Sequence, residues 1–222
     1  MKYHFLFLLS CMLLFSCEHS KKKLITEKIK EKDTLIYTVS AKILDNTYRA
    51  DYRSNMILYV ITKNDTLITQ KEEGLSPVPL KFEDYNKDGM LDIRYGYNSN
   101  YFFETIMLFN RKTKQFRKIE NIDNPEYAYS KKIKNTDLYF SYSPNGCGKN
   151  NWESYLFSIE DYKVVPKGHI EYKQCADDEK GMYVFRIKND EKILIEKVGL
   201  KEADNKELEN LWINYLKKIA SP

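Results

Sequence analysis

The stretch Glu83-Asp84-Tyr85-Asn86-Lys87-Asp88-Gly89-Met90-Leu91-Asp92 spaces its oxygen donors as a hard cation requires. Counting from Asp84, side-chain oxygens fall at positions 1, 3, 5 and 9, and glycine falls at position 6. Alternate residues point inward, so Asp84, Asn86 and Asp88 are expected to converge on one ion. The Met90 carbonyl supplies the seventh-position oxygen, and Asp92 closes the site from the next strand. Gly89 permits the sharp reversal that a β-carbon resists. Calcium suits this set, because it takes six to eight oxygens in a flexible geometry. The plainer alternative is a polar turn rich in Asp, Asn and Gly.

The loop is not an EF-hand. Tyr95 stands where the bidentate glutamate would be, and Ile93-Arg94-Tyr95 reads as strand. The pattern follows the shorter D-x-[DN]-x-D-G-x-x-D loops that join strands in extracellular β proteins. A second polar stretch runs from Ser143 to Trp152, with Asn145, Gly146, Cys147, Gly148 and Lys149 inside it. Long ordered loops on rigid β scaffolds often carry recognition; a plain connection is the alternative.

Other chemistry finds little support. His169 is the only histidine in the expected folded domain, and neither a G-x-S-x-G elbow nor an H-E-x-x-H helix is present. A catalytic role is therefore not expected. A glycan-directed hydrolase using paired carboxylates remains the competing class. The net charge is only +4, with 36 basic and 32 acidic residues interleaved. No basic stripe, zinc-ligand cluster or aromatic platform argues for nucleic acid.

The elements that hold these loops begin after an export segment. Residues 1–16 carry Lys2 and a short apolar core, and end Leu14-Phe15-Ser16-Cys17. This resembles a bacterial lipobox, which makes Cys17 the lipidated first residue. Ordinary secretory cleavage and an uncleaved anchor are the alternatives. Residues 17–33, with Lys21-Lys22-Lys23, read as a solvated tether. No acidic export signal follows Cys17, so an outer-membrane anchor facing the periplasm is expected. Cys147 and Cys175 are then an even pair in an oxidising compartment, which predicts a disulfide rather than two free thiols.

From residue 34 the pattern is strand-like. Leu35, Tyr37, Val39, Ala41 and Ile43 alternate with more polar residues. Further strands are expected at 56–62, 66–69, 80–82, 93–97, 105–109, 115–119, 138–142, 155–159, 163–165, 169–172, 183–187 and 192–195. Turn signals recur about every ten residues, the rhythm of an antiparallel β-sandwich or a propeller-like sheet. Only the C-terminus departs from it. Leu208, Leu211, Trp212, Tyr215, Leu216 and Ile219 fall at helical spacing behind an Asp204–Glu207 cap. That helix is expected to pack on the sheet, with membrane binding as the alternative. One domain, 34–222, is expected.

The Asp84–Asp92 loop, the Met107-Leu108-Phe109-Asn110 strand with Thr113 and Phe116, and the Ser143–Phe157 unit together resemble a known family. It comprises calcium-loop periplasmic β proteins and lipoproteins, similar in fold to inhibitors of invertebrate-type lysozyme. It includes an immunity protein against a secreted lysozyme-like effector. The resemblance implies that Asp84, Asn86, Asp88 and Asp92 hold calcium. It also implies that Ser143, Asn145, Gly146, Gly148 and Lys149 enter a hydrolase cleft, although Cys147 interrupts that loop. The expected function is partner capture by a lipid-anchored, calcium-stapled protein. A carbohydrate-binding module and an envelope structural protein remain alternatives.

Overall fold

The computed structural model describes residues 33–220 except 64, 72–76, 99–100, 148–149, 176–178 and 200–206; for 70, 77–79 and 98 it describes the backbone alone. Residues 33–222 cluster as one compact unit. The export segment, the tether as far as residue 32 with Cys17, and Asp204 of the helix cap lie outside the described residues.

Three antiparallel sheets build the fold. The first is a meander of β1 (Leu35–Ile43), β2 (Asn46–Arg53), β3 (Ile57–Ile61) and β4 (Thr66–Lys71). The second is a meander of β5 (Pro77–Glu83), β6 (Asp92–Asn98), β7 (Phe102–Asn110) and β8 (Gln115–Lys118). The third runs β15 (Glu191–Val198), β14 (Gly181–Lys188), β13 (Lys163–Lys173), β12 (Trp152–Glu160), β10 (Leu138–Phe140) and β9 (Lys131–Lys132). A short β11 (Ser143–Pro144) pairs with β12. The helix α1 spans Leu208–Ala220.

Alternation along the strands explains the layers. On β7, Met107 and Phe109 join a core shared with Tyr48, Tyr52 and Leu58 of the first sheet. Ile106 and Leu108 point the other way, into a core with Tyr139, Tyr155 and Phe157 of the third. A strand buried on both faces reads as a continuous apolar run, as Thr105–Phe109 does. The sheets therefore stack as sandwiches, and the propeller-like alternative does not describe them. The third sheet turns its other face to α1, where Trp212 is fully buried among Leu156, Ile170 and Val184. Burying one such large side chain contributes about 1.5–3 kcal/mol. The helix face is the one its spacing predicts: Leu208, Trp212 and Tyr215 are buried, with Leu211, Leu216 and Ile219 packed beside them.

Two elements differ from the sequence expectation. Strand β2 carries Arg49, Asp51 and Arg53 between Tyr48, Ala50 and Tyr52. Its charges are accommodated locally, since the buried Asp51 takes the Thr38 hydroxyl at 2.7 Å and the Arg49 guanidinium at 3.1 Å. Strand β13 is continuous through Pro166–Gly168, where a break was expected. A bulge at Leu156/Phe157 absorbs the missing proline donor. The hairpin expected at Asn189-Asp190 is present, with φ of 52° and 62°, the left-handed pair of a tight hairpin turn.

Candidate functional site

The Asp84–Asp92 loop joins β5 to β6, and its side chains organise its own backbone. Asp84 Oδ1 and Asn86 Oδ1 both accept the Asp88 N–H at 3.1 Å, so these two oxygens sit side by side. Asp84 Oδ2 accepts the Gly89 N–H at 3.2 Å, and Asp88 Oδ1 accepts that of Met90 at 2.8 Å. The Asn86 amide donates to Asp88 Oδ2 at 2.9 Å. Gly89 has φ +86° with open space around the missing β-carbon, so backbone conformation alone favours glycine there. Asp84, Asn86 and Asp88 are thus drawn together around one turn. Among the described residues, no three His, Cys, Asp or Glu side chains stand in a metal-holding arrangement.

Asp92 behaves differently. It is fully buried. Its Oδ1 accepts the Phe109 N–H at 2.8 Å, and its Oδ2 accepts those of Tyr85 at 3.0 Å and Asn86 at 3.4 Å. Burial pushes its carboxyl up to about 6, against the pull of the three N–H groups. It ties the loop to β7. Tyr85, between two polar loop residues, plugs into the core: its ring stacks on Tyr139 at 5.2 Å and its hydroxyl pairs with Ser130 at 2.8 Å. Lys132 donates to the Asn86 carbonyl at 2.8 Å from the third sheet.

The second polar stretch is a braced hairpin. Ser143 and Pro144 pair with Glu153 and Trp152, and the Asn145 N–H bonds to the Asn151 carbonyl at 2.9 Å. Gly146 and Cys147 take φ of 66° and 48°. Cys147 and Cys175 form the expected disulfide, with Cα atoms 6.5 Å apart. Asn151 Oδ1 also accepts the N–H groups of Gln174 at 2.8 Å and Cys175 at 3.3 Å. Asn145 and Gly146 are exposed and Ser143 is half-buried; Gly148 and Lys149 lie outside the described residues. The bridge closes a separation of 28 residues, and in the chain-entropy model its loss costs about 3.6 kcal/mol. Cys147→Ser with Cys175→Ser is expected to lower stability by that amount in urea unfolding; an unchanged midpoint would show that the bridge constrains nothing.

Beside this hairpin lies a network that sequence reasoning missed. Strand register sets Tyr155 opposite His169 and Glu153 opposite Glu171. The fully buried His169 ring has Nε2 3.3 Å from Glu153 Oε2 and Nδ1 3.4 Å from Glu171 Oε1. It stacks between Tyr155 at 4.2 Å and Phe185 at 5.8 Å. The Tyr155 hydroxyl donates to Glu126 at 3.1 Å and Glu153 at 3.3 Å. Burial first, then these two carboxylates, push the phenol far above its ordinary value, so it stays a neutral donor. Asn145 of the hairpin donates to Glu153 Oε1, which joins the exposed loop to the network. The signal was present as Glu153-x-Tyr155 and His169-x-Glu171, two-residue spacings that put each pair on one face of its strand.

The His169 hydrogen bond holds the Glu153 carboxyl below its ordinary value, against the opposite pull of burial. A depressed carboxylate contributes stability above its unfolded pKa and loses it as pH falls through the folded one. Wild type should therefore lose stability as pH falls below the ordinary glutamate value of about 4.3. Glu153→Gln, which keeps hydrogen-bonding atoms but not the charge, should flatten that part of the profile. Parallel profiles for the two proteins would exclude this pair as a source of acid sensitivity.

No known family's sequence profile matches the chain, and no curated protein matches it. A solved structure does: a Xanthomonas protein described as related to a type IV secretion system. The TM-score is 0.52 at 12% identity, over 74% of this chain and 98% of the other. At that identity the likeness concerns the fold alone.

Proposed function

We propose that this is a lipid-anchored protein of the bacterial envelope that captures a lysozyme-like cell-wall hydrolase, without chemistry of its own. The bracing of the Ser143–Asn151 hairpin carries the reading. A disulfide, the Asn151 side chain and the Asn145–Glu153 bond fix the described parts of this polar loop, Ser143–Cys147 and Asn150–Asn151, on the sheet. Residues fixed before binding spend little of their interaction energy on being ordered. The neighbour's description as secretion-system related agrees with an envelope setting. The anchor in this reading is the Cys17 lipid, which rests on the Leu14-Phe15-Ser16-Cys17 pattern of the export segment. Mass spectrometry of the native mature N-terminus tests it; an unmodified start beyond Cys17 would refute the anchor.

Inhibition is tested against a panel of lysozyme-like enzymes, with and without calcium. The Lys149 ammonium is attracted by the carboxylate pair that such enzymes use. Lys149→Glu should weaken inhibition by about tenfold, equivalent to 1.4 kcal/mol. Should no enzyme of the panel be inhibited, the capture role falls and the envelope-structural alternative replaces it.

Calcium belongs to the same reading as a staple. Asp84 and Asn86 already offer neighbouring oxygens, and Asp88 adds a second carboxylate across the turn. Turning the Asn86 amide away from Asp88 frees an oxygen set for a cation, with the Met90 carbonyl completing it. Asp92, which accepts three N–H groups, fits better as the support beneath the loop than as a freely offered ligand. Extracellular calcium modules bind at roughly 0.1–1 mM. At a hundredfold excess over Kd, binding to the folded state alone adds about 2.7 kcal/mol. Millimolar calcium should raise the melting temperature, EDTA should reverse it, and magnesium should do much less. A melting temperature indifferent to both, with no heat of binding, would leave the loop a polar turn.

A further inference from the structure

At one end of the sandwich formed by the first and second sheets lies a cleft of about 800 Å³. That volume falls within the roughly 300–1,000 Å³ of small-molecule sites. Three hairpin turns meet around it: residues 45–47 between β1 and β2, 62–63 beyond β3, and 113–115 between β7 and β8. Ile61 and Leu67 add aliphatic surface from β3 and β4. Tyr48 also lines the cleft, although the residue is only 2% exposed. Its ring packs edge-on against both Phe109 and Phe116, with centroids 5.5 Å away in each case.

The Tyr48 hydroxyl makes no hydrogen bond to any described residue, whereas a buried tyrosine hydroxyl usually has a partner. It is not among the enclosed polar atoms left without one either, so it opens on the cleft. Two phenylalanines thus fix a lone hydroxyl at the floor before any ligand arrives. Charge does not select the occupant. Arg49 is already paired with Asp51 at 3.1 Å, and the other charges, Asp45, Lys63 and Lys114, are of both signs. The neutral lining does select. Asn46, Thr47, Thr113 and Gln115 offer side-chain amides and hydroxyls that bond to no described residue. Such groups both donate and accept, as the hydroxyls of a sugar do.

We propose that this cleft binds a neutral oligosaccharide, with the Tyr48 hydroxyl bonding to a sugar hydroxyl at the floor and Asn46, Thr47, Thr113 and Gln115 bonding around the rim. Ile61 and Leu67 cover the C–H faces of the sugar rings, which gain from leaving water. The cleft shares no lining residue with the acidic loop or the Ser143–Asn151 hairpin, and it does not depend on either role.

The test is heteronuclear NMR of the purified, isotope-labelled protein, titrated separately with chitotriose, cellotriose and maltotriose. Saturable shifts with at least one of these are expected, concentrated at the resonances of Asn46, Thr47, Thr113 and Gln115. Tyr48→Phe removes only the hydroxyl. Because that oxygen bonds to no described residue, the melting temperature should stay near wild type, while the dissociation constant should rise about tenfold, a 1.4 kcal/mol difference. Thr113→Trp, at the exposed β7–β8 turn, should fill the mouth and abolish the shifts. No saturable shift with any of the three sugars, shifts confined to another surface, or wild-type affinity in either variant overturns the proposal. So does a melting temperature of Tyr48→Phe well below wild type, which would show that the hydroxyl serves the fold and not a ligand.

Discussion

Arg94→Met is expected to lower the unfolding free energy by about 3–5 kcal/mol, the usual cost of removing one partner from a buried charge pair. Arg94 stands on β6 between two glutamates. Its Nε and Nη2 make a two-pronged contact with Glu104 at 2.8 and 2.6 Å, and its Nη1 reaches Glu83 at 2.8 Å. The Glu104 side chain is only 7% exposed, and it also accepts the Tyr129 N–H at 2.9 Å. Without the guanidinium, Glu104 must either carry an uncompensated charge or take up a proton. The effect should therefore be asymmetric. Arg94→Met with Glu104→Met removes both charges and should recover most of the loss, whereas either single change should not. Denaturant unfolding of the three variants at constant m-value measures this. A loss under 1 kcal/mol for Arg94→Met, typical of exposed pairs, would show that water screens the cluster.

This hub illustrates which parts of the molecule were legible in the sequence. Glu83, Arg94 and Glu104 are unremarkable there, because nothing local says that strands β5, β6 and β7 bring them side by side. Register decides it, and register depends on tertiary packing. The same holds for His169. Its isolation in the sequence argued against catalysis and pointed to no partner, yet two adjacent strands set Glu153, Tyr155 and Glu171 around it. What local rules govern was readable. The apolar run of β7, the Asn189-Asp190 turn and the helical spacing of Trp212 and Tyr215 all depend on neighbours a few residues away. Strand β2 failed that test because its charges lower strand propensity, and its partner strands supply what the segment lacks. The disulfide was readable from compartment logic alone, whereas the bracing of its hairpin by Asn151 was not.

Asp92→Ala is expected to cost about 2–6 kcal/mol with no metal involved, because each of two buried donors left without an acceptor costs about 1–3 kcal/mol. Those two are the N–H groups of Phe109 and Tyr85, and the half-buried Asn86 N–H loses a longer bond at 3.4 Å. Phe109 and Tyr85 are buried, and both belong to packed cores, one on each side of the second sheet. Water cannot replace Asp92 there without opening a core. Asp88→Ala makes the opposite case. Asp88 is exposed and takes only local bonds from Met90 and Asn86, so its loss should cost under about 1 kcal/mol, the net worth of an ordinary hydrogen bond. Yet Asp88 is one of the oxygens a calcium ion needs. The two variants therefore separate support from ligation. Asp92→Ala should be unstable in EDTA and calcium alike, while Asp88→Ala should melt near wild type in EDTA and gain nothing from millimolar calcium. If Asp92→Ala melts like wild type in EDTA, its three backbone bonds are not what holds the loop to β7. If Asp88→Ala still gains the full calcium increment, the ion is held elsewhere.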